Sequence, residues 1–112
     1  MALPFSPSIT KNDFVFTSGQ VHLTSGGKLL EGTIQEQTIQ VMKNLKSVLN
    51  EAGVSLGNVV KSTVYITDME NYGKVSDTYA SFFSDNYPAR EIVCVKALPL
   101  GASIEISMIA SK

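Results

Sequence analysis

Two residues in the last quarter of this chain have types and spacing suited to chemistry. Arg90 follows Tyr87-Pro88-Ala89 and opens a β-rich run. Glu105 lies in the next such run, Ser103-Ile104-Glu105-Ile106-Ser107-Met108-Ile109-Ala110. A guanidinium fork binds a carboxylate through two parallel hydrogen bonds. A carboxylate can orient or deprotonate a water. A fixed cation and a carboxylate facing a shared cavity would suit a small anionic substrate and an attacking water. By pattern alone each is more commonly an ordinary surface charge. Against that, a carboxylate on a strand whose second face is also buried must find a partner or a task.

The other candidates carry less. His22 is the only histidine, and nothing around it resembles a nucleophile elbow or a catalytic cysteine motif. Cys94, the only cysteine, sits in an apolar strand and reads as a small core residue. One His, one Cys and no clustered carboxylates make no metal ligand set. Ser25-Gly26-Gly27-Lys28 lacks the spacing of a phosphate loop and reads as a turn. Tyr72, Tyr79, Phe82 and Phe83 recur at helical spacing and read as core, not as a base-stacking platform.

The elements that must position Arg90 and Glu105 follow from periodicity. Phe14–Ser18 is a β-branched and aromatic strand broken by Gly19, and Val21–Leu23 continues it. Thr33 to Ala52 is the strongest helix: Ile34, Thr38, Val41, Met42, Leu45, Val48, Leu49 and Ala52 trace one buried stripe. Thr33 with Glu36 forms a capping box, and Gly53 suits a left-handed stop. Val59–Thr67 is a strand, Asn71–Ser84 a second helix, and Glu91–Ala97 and Ser103–Ala110 close the chain. The order β-β-α-β-α-β-β predicts an α+β sheet with both helices on one face. Ile92 and Cys94 point one way from their strand and Val93, Val95 and Ala97 the other, so both faces are apolar. Two helices cover only one of them. A second subunit is therefore expected on the open face, with a pocket between subunits.

Composition agrees. At 112 residues the chain reads as one domain, 1–112. It is 44% hydrophobic and only 17% charged, which again suggests burial of more than one surface. The net charge of −1, with no Lys/Arg run, argues against a nucleic-acid partner. No apolar run approaches the roughly 20 residues of a membrane span. The lone cysteine fits a reducing compartment. The expected location is cytoplasmic, or mitochondrial if a transit peptide has been removed.

Tyr87-Pro88-Ala89-Arg90, Leu98-Pro99 and Ile104-Glu105-Ile106 through Ile109-Ala110 resemble the C-terminal signature of the YjgF/RidA family of reactive-intermediate deaminases. The likeness runs along nearly the whole chain: Thr17-Ser18-Gly19-Gln20, Asn44-Leu45, Ala52-Gly53, Val60-Lys61-Ser62-Thr63-Val64-Tyr65 and Tyr79-Ala80-Ser81-Phe82-Phe83 all match. The resemblance implies a chorismate-mutase-like α+β fold, a mixed sheet with two helices on one face, assembled as a homotrimer with clefts between subunits. It implies hydrolysis of 2-imino acids or their enamine tautomers, such as 2-iminobutanoate and 2-iminopropanoate, to 2-keto acids and ammonia, as metabolite damage control and without cofactor or metal. By position, Arg90 would hold the substrate carboxylate and Glu105 would activate the water. Backbone at Ser18, Gly19 and Ile92 would line the cleft, with Phe5 beside them. Three positions depart from the pattern: Phe5 stands where deaminating members often carry tyrosine, Ile92 where cysteine is frequent, and Ser76 where an asparagine is common. The rival expectations are binding of small carboxylates without turnover, for which Phe5 speaks, and a minor ribonuclease or translation-inhibitor activity.

Overall fold

The computed structural model describes residues 3–112. Its elements are β1 (Ser8–Lys11), β2 (Phe14–Thr17), β3 (Gln20–Val21), α1 (Ile34–Glu51), β4 (Val59–Ile66), α2 (Tyr72–Ala80), β5 (Ala89–Cys94) and β6 (Ile104–Ser111), with single 3-10 turns before β4, α2 and β6. The strands form one mixed sheet in the order β1-β2-β6-β4-β5, with β3 also pairing β6. Only β4 and β5 run parallel, joined across α2; the other pairs are antiparallel.

α1 forms where its sequence signals place it. The Thr33 hydroxyl accepts from the Glu36 N–H, and the Glu36 carboxylate accepts from the Thr33 N–H. Gly53 takes φ +85°, a left-handed conformation that glycine adopts without the steric cost of a Cβ. The stripe Thr38, Val41, Met42, Leu45 and Leu49 is buried. It packs on Val15, Val64, Ile66, Ile104, Ile106 and Met108 from the sheet, with Val75 and Tyr79 of α2 completing the core. Each fully buried large apolar side chain here contributes about 1.5–3 kcal/mol.

Both helices lie on one face, as the strand order predicts. On the other, Ile9, Phe14, Phe16 and Val93 are exposed, joined by half-buried Tyr65 and Ile109. Cross-strand register puts these side chains on a single surface.

Several boundaries differ from the sequence expectation. β1 was not expected: Ser-Ile-Thr-Lys shows little alternation. What makes it a strand is the two-residue link Asn12-Asp13, both at positive φ (50° and 68°), which folds β1 back on β2 as a tight hairpin. α2 stops at Ala80 instead of Ser84. The Ser81 hydroxyl there bonds back to the Thr78 carbonyl, and the next N–H groups turn onto Tyr79 and Ala80. Cys94 is exposed and not a core residue, because β5 is an edge strand.

Candidate functional site

Arg90 is the second residue of β5 and stands beside buried Ser62 of β4 in the parallel register. Both side chains therefore face the helices. The Arg90 Nη1–H donates to Ser76 Oγ at 2.9 Å and the Nη2–H to the Tyr72 hydroxyl at 3.3 Å. The guanidinium carbon lies 5.3 Å from the Tyr79 ring centroid, within cation–π range. The Tyr79 hydroxyl donates to Ser62 Oγ at 2.9 Å, and burial pushes its pKa up, so it stays neutral. Arg90 opens onto a cleft of about 370 Å³ lined by Ser76, Tyr79, Ala80, Tyr87 and Pro88. Ile92, one pleat further along β5, packs its side chain against the core.

Glu105 occupies the opposite face. It sits between buried Ile104 and Ile106 on β6, opposite Tyr65 of β4 and Val21 of β3. β2 and β3 are two pieces of one edge along β6, interrupted at Ser18-Gly19, where the Thr17 hydroxyl accepts the Met108 N–H. The Glu105 side chain lies over this gap: a Cβ on Gly19 would stand 2.1 Å from Glu105 Oε2. The glycine is needed for close approach of the carboxylate. Burial, with no compensating donor among the described residues, raises the Glu105 pKa.

The chain on either side of Gly19 is tied down. Ser18 donates its N–H to the Pro7 carbonyl (2.9 Å) and its hydroxyl to the Ser6 carbonyl (2.5 Å). This holds the segment bearing exposed Phe5 near the gap. From α1, the Asn44 amide donates to the Val21 and Leu23 carbonyls.

The predicted residues thus form two groups. Ser18, Gly19 and Glu105 come together, with Phe5 nearby in the chain. Arg90 and Ile92 lie together on the helix side. One chain does not put Arg90 and Glu105 in a shared cavity: the sheet separates them. They are two strands (about 10 Å) and three residues (about 10 Å) apart and point in opposite directions. Sequence reasoning missed Tyr72 and Tyr79 as partners of Arg90, because a Tyr/Val/Tyr stripe at helical spacing reads as core. Ser76, noted only as a departure, is in direct contact with Arg90.

His22 is structural. It is 3% exposed, and both ring nitrogens are engaged, Nδ1 with the Leu30 carbonyl (3.0 Å) and Nε2 with the Ser103 N–H (3.1 Å). That assigns a neutral ring protonated on Nδ1, and burial lowers its pKa. Among the described residues, no helix is long and apolar enough to cross a membrane.

The fold and its two polar groups define an α+β protein with an arginine held by neutral side chains on one face of the sheet and, among the described residues, a carboxylate without a donor on the other. Known proteins share this frame. The family model described as Endoribonuclease L-PSP matches residues 1–112. A mouse 2-iminobutanoate/2-iminopropanoate deaminase is 40% identical over 108 residues, covering 96% of this chain and 80% of the relative. The crystal structure of a Rid-family protein of unknown function from Yersinia pestis superimposes with TM-score 0.96 at 40% identity, over 100% of this chain and 90% of that one. E. coli TdcF, crystallised with bound serine, gives TM-score 0.93 at 31% identity, over 100% and 91%. The chain belongs to the Endoribonuclease L-PSP, or YjgF/RidA, family.

Proposed function

We propose that this protein hydrolyses 2-imino acids, or their enamine tautomers, to 2-keto acids and ammonia, with 2-iminobutanoate and 2-iminopropanoate as its substrate class. The observation that carries this reading is the state of the two charged residues. Among the described residues Arg90 has no carboxylate partner, and Glu105 is half-buried with its pKa raised by burial alone. The similarity to the mouse imine deaminase supports it.

In this reading Arg90 grips the α-carboxylate and orients the imine, making water addition effectively unimolecular. Glu105 takes a proton from the water as its oxygen bonds to the imine carbon, and the C=N electron pair goes to nitrogen. Glu105 returns that proton to the nitrogen to give the neutral carbinolamine, and then carries the hydroxyl proton to the amine. The C–N bond then breaks to expel ammonia as the keto group forms. A raised pKa suits a carboxylate that must both accept and return a proton. The imine carbon is already electrophilic, so no cofactor is called for. Backbone at Ser18 and Gly19 lines the water side. Ile92 and the Phe5 ring, which lacks a hydroxyl, shape the pocket.

Because the sheet separates Arg90 from Glu105 within one chain, a site using both is built between copies. We assign it to a homotrimer of this single domain, in which the exposed apolar sheet face is covered and one chain's Glu105 meets the next chain's Arg90. A cytoplasmic setting suits the free, exposed Cys94.

The test is a coupled assay in which a threonine dehydratase generates 2-iminobutanoate. The protein should accelerate 2-ketobutyrate release, and Arg90→Ala should abolish the acceleration while leaving the assembly intact. No acceleration by the assembled wild type, with serine-derived imine also tested, would leave binding of small carboxylates without turnover, the reading that Phe5 favours. A ribonuclease role, which the family description names, gains nothing from His22, whose ring nitrogens are both engaged.

A further inference from the structure

Among the described residues, Arg90 is held entirely by groups that carry no charge. Its two hydrogen-bond partners are the hydroxyls of Ser76 (2.9 Å) and Tyr72 (3.3 Å). The ring centroids of Tyr72 and Tyr79 lie 5.9 and 5.3 Å from its guanidinium carbon. Tyr72, Ser76 and Tyr79 follow i, i+4, i+7 spacing, so one face of α2 makes the whole seat. The seat is anchored in the core through the Tyr79–Ser62 hydrogen bond. Glu91, the neighbouring acid, instead bridges Lys61.

A carboxylate partner would hold an arginine at least as firmly, but its charge would cancel the cation. Neutral hydroxyls fix the geometry and leave the charge available. A guanidinium has five N–H donors. Ser76 and Tyr72 engage two of them, and the remainder suffice for a two-point carboxylate contact.

We infer that Tyr72 and Ser76 are positioning residues which hold Arg90 as a preset cation, uncompensated by its own chain, for the α-carboxylate of a 2-imino or 2-keto acid. The inference rests on the proposed function only for the ligand class. The contacts that hold Arg90 lie within one chain.

The experiment uses the intact protein and 2-oxobutanoate as probe, with binding followed by calorimetry or NMR and imine hydrolysis measured in parallel. Ser76→Asp keeps an acceptor beside Arg90 but supplies a charge: melting should be preserved and affinity should fall about 100-fold. Ser76→Asn, a neutral acceptor, should stay within about threefold of wild type. The pair Ser76→Ala/Tyr72→Phe should raise Kd and KM together by about tenfold, with kcat within about twofold, as expected for contacts that act equally on ground and transition states. Tyr72→Phe alone, at an exposed helix start and keeping the ring, should show a smaller rise without loss of folding. Wild-type affinity in Ser76→Asp or in the double variant would overturn the inference, as would failure of the wild type to bind 2-oxobutanoate. Binding without imine hydrolysis would remove the deaminase reading and leave the seat standing. Hydrolysis with variants that bind like wild type would do the reverse.

Discussion

At the residue scale, Glu105 combines a functional promise with a stability cost, and the two can be separated. Its folded pKa is raised above the unfolded value, near 4.5, by burial. The folded state therefore binds this proton more readily than the unfolded state does. The resulting stability is complete below the unfolded pKa and is lost as pH rises through the folded pKa. Once ionised, the carboxylate is a liability that the fold retains, as the proposed catalytic role would require. Glu105→Gln should accordingly melt higher than wild type at pH 7.5, with the difference shrinking toward pH 4. Imine hydrolysis should fall by about 100-fold or more. Equal melting at both pH values would mean that the carboxylate is not desolvated in solution. Legibility at this scale was uneven. The alternation of β6 placed Glu105 on the face away from Ile104 and Ile106, where it is. Arg90 was recognisable as a candidate but its surroundings were not. Its partners lie 14 and 18 positions away in sequence, and no local pattern connects a hydroxyl on one helix to an arginine on a later strand.

At the element scale, α1 was the most legible part, because cap, stripe and stop are all local and agree with one another. β1 was the least: its pairing depends on a two-residue turn, and the short strand itself has little periodicity. The cleft side of the fold depends on another tie that spacing does not disclose. His22, just after β3, bonds the Leu30 carbonyl and accepts the Ser103 N–H at the entry to β6. It joins the loop before α1 to the strand carrying Glu105. With its folded pKa lowered below 6.5 by burial, His22 contributes stability that is fully present above pH 6.5. That stability is lost as pH falls through the folded pKa, where the unfolded state binds the proton first. Protonation would also remove the acceptor that Ser103 uses. His22→Ala should cost about 2–4 kcal/mol by leaving two backbone groups without partners. It should also flatten the pH dependence of melting between pH 6.5 and 5 relative to wild type. An unchanged slope would show that other groups carry the acid response.

At the scale of the whole molecule, the proposed function requires residues on opposite faces of one sheet to act on one substrate. The apolar alternation of the β5 region led to the expectation of a second subunit on the open face. What it did not show was that Arg90 and Glu105 would be divided by that sheet, since face assignment requires the register of β5 against β4 and of β4 against β6. The division gives the proposed assembly a sharp consequence. Arg90→Ala chains retain Glu105, and Glu105→Gln chains retain Arg90. If each site takes one residue from each of two neighbouring chains in a closed ring, subunits from the two inactive proteins can form working sites together. Mixed in equal amounts, dissociated and reassembled at random, they should recover roughly a quarter of wild-type activity, because a site works only when both contributing chains are of the right kind. Assembling each variant separately and then mixing without exchange should recover none. Sites contained within single chains would stay inactive under both protocols. The experiment therefore reads the location of the site directly from activity, and it does so with substitutions on two separate surfaces whose individual loss of function is already predicted.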